Sequence, residues 1–134
     1  MDESIVWYES VSDSGLVWCR EFPDLKTKIA FLKKDGFEIE LFEHFETIAL
    51  PKERLLPKED IQQTQGTRHL AFGTKDINTL FEHFKTLKVD INFGSIESPP
   101  KNALFDFIRD PSGVFNGLYS EAINEEFCIL FAGN

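Results

Sequence analysis

The sequence predicts a small α+β protein made of two related halves, and three observations carry that prediction. A helix-period stretch near the start is followed by three strand-like runs. The second half reads β-α-β-β-β, and a glycine turn, Asp35-Gly36 or Asp110-Pro111-Ser112-Gly113, precedes the last strand of each half.

The elements follow in order. Residues 2–12 put Ile5, Tyr8 and Ser12 on one face, with Trp7 and Val11 beside it, as an amphipathic helix capped by Asp2 would. Gly15 ends it. Leu16 to Phe22 and Thr27 to Leu32 carry the β-branched and aromatic residues of strands, and Asp35-Gly36 predicts a type I′ turn into a strand over Phe37 to Phe42. Residues 44–65, with Pro51, Pro57 and weak periodicity, predict a surface excursion. A short apolar run, Leu70 to Phe72, then precedes Asp76. The spacing of Ile77, Leu80, Phe81, Phe84 and Leu87 predicts a helix with Asp76 as its cap. Strand patterns return at Val89 to Phe93, Ala103 to Ile108 and Val114 to Tyr119, the last pair joined by the turn at Asp110–Gly113.

Placing Gly36 on Gly113 lays Phe37–Phe42 over Val114–Tyr119, with aliphatic or aromatic residues matching at most steps. At nearly the same interval Ile5 falls on Phe81 and Tyr8 on Phe84. A duplicated module accounts for both matches. The chain is accordingly expected to comprise a first module over 1–48, a linker over 49–65, a second module over 66–122 and a tail over 123–134.

Composition narrows the function classes. Its 134 residues suit one compact protein, and 42% hydrophobic residues with 14 Phe supply enough apolar surface for a core. A net charge of -9 repels phosphate backbones and anionic lipid, so nucleic acid is not an expected partner. Cys19 and Cys128 form no metal-binding or disulfide pattern, which fits a reducing cytoplasm. The opening Asp2-Glu3 and the lack of a long apolar run give no support for secretion or membrane spanning.

Two stretches carry a family resemblance: Gly66-Thr67-Arg68-His69-Leu70-Ala71-Phe72 followed by Asp76-Ile77, and Phe107-Ile108-Arg109-Asp110-Pro111-Ser112-Gly113. Together they resemble the second module of the glyoxalase/bleomycin-resistance/dioxygenase, or vicinal oxygen chelate, superfamily. Glu3–Glu9 and Phe37–Phe42 are similar to the helix and last strand of its first module. The resemblance implies two βαβββ modules whose curved mixed sheets form a cleft, the first lacking its first strand. It also implies a divalent metal, Zn, Ni, Mn or Fe, held by ligands from the first and last strands of each module. His69 matches one ligand and Glu40 another; Glu40 is also the candidate catalytic base. Arg68 and Arg109 flank the motifs and are candidates for binding an anionic substrate.

The sequence also departs from the family pattern. Gly117 stands where the second module would supply a carboxylate, and the spacing of His69 to Asp76, applied to the first helix, puts that module's first strand before Met1. Two of the expected ligands are therefore missing. The apolar run 127–131 is expected to fill the place of the absent strand, unless a partner subunit does so. Two functions follow from the resemblance: a lactoylglutathione-lyase-like lyase or isomerase working through a metal-stabilised enediolate, or a bleomycin-resistance-like protein that sequesters a small molecule. Either is expected to be a homodimer.

Overall fold

A computed structural model of the chain describes residues 1–52, 69–92, 96–98 and 103–120. These divide into two compact units, Met1–Gln63 with Asp110–Gly113, and Thr64–Arg109 with Val114–Asn134.

The first unit opens with α1, Asp2–Ser12. Its N-cap is Met1, so the expected capping role of Asp2 is not what the structure has. Asp2 lies one position too late to cap, and its carboxylate instead meets Lys28 Nζ at 3.1 Å. Three strands follow: β1 (Gly15–Phe22), β2 (Thr27–Lys34) and β3 (Phe37–His44). They pair antiparallel in the order β1-β2-β3, with a bulge between Leu16 and Trp18. At the β2–β3 turn only Gly36 has positive φ, at 90°. A type I′ turn needs both central residues there, so the turn differs from the expected type, and Asp35 keeps an ordinary backbone.

Strand alternation gives this sheet two distinct faces. Ala30, Leu32 and Ile39 are buried together with Ile5, Tyr8 and Val11 of α1. On that same face Lys28 pairs with Asp2, and Lys34 with Asp13. The opposite, helix-free face carries Trp18, Arg20, Phe31, Glu40 and Phe42.

The second unit contains β4 (Ala71–Thr74), α2 (Ile77–Thr86), β5 (Asp90–Ile91), β6 (Ile96–Ser98), β7 (Ala103–Arg109) and β8 (Phe115–Ser120). The strand expected over Leu70 to Phe72 starts one residue later and ends two residues later, where β4 gains parallel pairing from Ala71 opposite Gly117 to Thr74 opposite Ser120. Asp76 caps α2 as the sequence predicts, accepting from Thr79 N–H at 3.0 Å and from its hydroxyl at 2.7 Å. β5 and β6 both pair antiparallel with β7; β6 gave no strand signal in the sequence. Phe84, Ile108 and Leu118 are fully buried between α2 and the sheet. Burial of three such side chains contributes on the order of 2 kcal/mol each.

The second sheet runs β4-β8-β7-β5, mixed because only the β4–β8 pair is parallel. The two units are thus αβββ and βαβββ, the latter with β5 and β6 both paired to β7. β3 corresponds to β8, and among the described residues no strand pairs with its outer edge, where a counterpart of β4 would lie. The segment 127–131, expected to fill that place, lies outside the described residues. Among the described residues, no helix is long and apolar enough to cross a membrane.

Candidate functional site

The helix-free face of the second unit is built by period-two alternation on three adjacent strands. Register sets three rows across it: Arg109 beside Phe115; Phe107, Gly117 and Ala71; then Phe105, Tyr119 and Gly73. Phe105, Phe107 and Phe115 meet edge to face at centroid separations of 6.3 and 6.4 Å.

His69 stands two residues before the start of β4. Its imidazole lies in edge contact with the Phe107 ring, 5.0 Å between centroids at 89°. A Cβ on Gly117 would stand 3.3 Å from both Cδ2 and Nε2 of that ring. Leu70 C=O accepts from Gly117 N–H at 2.8 Å, which draws the His69 segment against β8. The glycine that replaces the expected carboxylate therefore also gives the imidazole its room.

Arg109 belongs to the same face. Its guanidinium stands over the Phe115 ring, 4.4 Å from the centroid, and its Nε is 3.2 Å from Asp90 Oδ2. Protein contacts of this kind orient it across the sheet. Arg68, the other expected substrate-binding residue, lies outside the described residues.

Glu40 occupies the helix-free face of the first unit. It is exposed, opposite Phe31 in the register and flanked along β3 by Glu38 and Phe42. Trp18 lies against Phe31 with 4.6 Å between ring centroids, and Phe42 is 53% exposed, so this face offers accessible aromatic surface beside a carboxylate. Glu38 is bound to Lys33 at 2.7 Å.

The donor set does not fit the resident metal centre that the resemblance implies. Gly117 offers no side-chain ligand atom, and a Cβ at its place would crowd the His69 ring at 3.3 Å. Among the described residues no group of three or more His, Cys, Asp or Glu could hold a metal ion. His69 and Glu40 belong to different units, each bringing its own helix-free face.

Sequence reasoning did not single out Tyr119. It lies on the same face as Gly117, two residues along β8, and its ring end leans over Gly73 of the neighbouring strand: a Cβ there would meet Cζ and Oη at 2.8 Å. The available signal was the Gly117-Leu118-Tyr119 alternation, with Gly73 two residues beyond Ala71.

No family model and no curated protein matches the sequence. Solved structures do. Glyoxalase I from Zea mays superposes with a TM-score of 0.68 at 24% identity over 88% of the chain, which spans 40% of that protein's length. A glyoxalase family protein from Enterococcus faecalis gives 0.73 at 18% identity, covering 89% of this chain and 87% of its own. The fosfomycin resistance protein FosX from Listeria monocytogenes, solved with Mn(II) and sulfate, gives 0.63 at 13% identity over 95% of this chain and 88% of its own. What these likenesses share with the two α+β units is architecture: the chain has the fold of the glyoxalase/bleomycin-resistance/dioxygenase, or vicinal oxygen chelate, superfamily.

Proposed function

We propose that the protein binds a small organic molecule on its helix-free sheet faces and does so without a resident four-ligand metal. The observation that carries this reading is Gly117, which stands where the carboxylate would be and against which the His69 ring packs, so that a Cβ there would lie 3.3 Å from it. Aromatic surface at Trp18, Phe31 and Phe42 in one unit, and at Phe105 and Tyr119 in the other, supplies apolar contact with a few polar groups, the usual make-up of a small-molecule site. Sequestration of the kind associated with bleomycin-resistance proteins, in a homodimer, fits this reading.

A second reading is enzymatic, lyase or isomerase chemistry of the glyoxalase kind. Glu40 favours it: an accessible carboxylate beside Phe31 and Phe42 could take a proton from carbon next to a bound carbonyl. The likeness in fold to maize glyoxalase I and to FosX adds support of a general kind.

Metal analysis of the purified protein, together with a Glu40→Gln variant, separates the two. Tight stoichiometric Zn, Ni, Mn or Fe that is lost in the variant would overturn the metal-free reading. The expected result is metal well below stoichiometry, with binding of aromatic small molecules retained in both proteins.

A further inference from the structure

Asn116 and Gly117 are neighbours in β8, and no other asparagine of the chain is followed by glycine. This dipeptide is chemically disposed to lose ammonia. Once deprotonated, the Gly117 nitrogen can attack the Asn116 side-chain carbonyl carbon: that C–N bond forms, the bond to Nδ2 breaks, and ammonia leaves with the proton it needs. Water then opens the succinimide ring at either carbonyl and leaves Asp or isoaspartate at 116. Glycine favours the attack because no side chain crowds its nitrogen and its backbone turns freely.

The native structure opposes each step. Gly117 N–H donates to Leu70 C=O at 2.8 Å, so the attacking nitrogen is already engaged. Gly117 is also paired on both sides, opposite Phe107 of β7 and Ala71 of β4, and closing the ring would turn Asn116 out of strand geometry. Asn116 is 1% exposed, which keeps base and water from its amide. Because Leu70 is the residue before β4, parting of β4 from β8 releases the nitrogen and one flank of the strand together.

The product fits the native state poorly. Asn116 Nδ2 donates to Val114 C=O at 3.4 Å, while its Oδ1 is buried with no partner among the described residues. An ionised carboxylate would lose that donor and bring a charge to a place where one oxygen already lacks a hydrogen bond. Asp106, fully buried on β7, lies on the same face one row away, opposite Leu118 where Asn116 is opposite Ile108. Isoaspartate adds a further fault, since it inserts a methylene into the backbone and breaks the register of β8 with both neighbours.

We infer that Asn116-Gly117 is a latent deamidation site, locked while β4 and β8 are paired, and that its conversion blocks return to the native fold. Opening of β8 thereby leaves a covalent mark, and irreversible loss of the protein follows from opening rather than from time alone.

The test ages the full chain in mildly alkaline buffer with and without guanidinium chloride. Peptide mass spectrometry reads Asn116, and chromatography separates its Asp and isoaspartate products. Asp35-Gly36 is the internal reference: Asp35 is exposed and nothing lies within 4 Å of a Cβ at Gly36, so isoaspartate formation there needs no opening. Asn116 is expected to convert about a hundredfold more slowly in the native protein than in denaturant, while Asp35 changes little. Below the unfolding transition its rate should rise in step with hydrogen exchange at the Gly117 amide. Conversion of Asn116 as fast in the native as in the denatured protein, or a rate that stays flat while Gly117 exchange quickens, would overturn the lock. Converted chain that refolds with wild-type stability after removal of denaturant would overturn the block on return.

Discussion

The imidazole of His69 rests against the backbone of Gly117, with Cδ2 and Nε2 each 3.3 Å from the point where a side chain would begin. That contact ties the residue most like a metal ligand to the residue that cannot be one.

Gly117→Ala tests the contact directly. A methyl group there is tighter than ordinary packing and must push the ring by a few tenths of an ångström. The expected result is a loss of about 1 kcal/mol and displaced His69 and Phe107 ring signals. Gly15→Ala is the control, since nothing lies within 4 Å of a Cβ at that position. It should be neutral or slightly stabilising in chemical denaturation. Equal effects of the two substitutions would dissolve the seat as a packing constraint.

Tyr8 and Asp110 offer a second test. The phenol donates to Asp110 Oδ2 at 3.0 Å with both residues buried, joining α1 to the turn that precedes β8. The same carboxylate accepts from Ser112 N–H at 2.9 Å through its other oxygen. Tyr8→Phe deletes one oxygen and leaves the ring, so it should cost about 1 kcal/mol in urea unfolding and loosen the turn. Unchanged stability would mean that water replaces the phenol there without loss.

The Asp76 cap gives a prediction in pH. Donation by the Thr79 backbone N–H, then by its hydroxyl, holds this carboxyl below the usual carboxylate range. A depressed folded-state value means the stabilisation is whole above the unfolded value of about 3.9 and is lost as pH falls through the folded value. Asp76→Ala should lower Tm at neutral pH, and the gap to wild type should close in acid. Asp76→Asn keeps an acceptor and should show a gap that varies far less with pH. Thermal melts across that range read both.

The outer edge of β3 supplies the last prediction. By correspondence with β8 it should receive a parallel strand, and we propose that residues 127–131, or the same segment of a partner subunit, provide it. Deleting 127–134 should then speed hydrogen exchange at β3 amides that β2 does not engage, with β7 unaffected. Unaltered exchange in β3 would remove this segment as the edge's cover.

Much of the architecture was readable one residue at a time. Ile77, Phe81 and Phe84 announce a helix by spacing, and Asp76 starts it because an Asp side chain satisfies a free N–H wherever it precedes a helical turn. The Asp110–Gly113 turn was likewise legible, with Gly113 at φ 87° and its N–H donating to Asp110 C=O at 2.9 Å. Ile96–Ser98 was not, because a three-residue strand owes its form to β7 beside it rather than to its own composition. The cap of α1 was misread for a related reason: Lys28, distant in sequence, claims Asp2.

The sequence by itself determined the two helices, most of the strands, the duplicated order and the absence of a carboxylate at 117, since these depend on local spacing and residue identity. Tertiary structure alone decided that His69 would lie on Gly117 and Tyr119 over Gly73. Those contacts arise from the parallel register of β4 on β8. A register between strands far apart in the chain is fixed by their whole shared interface, and no single residue encodes it.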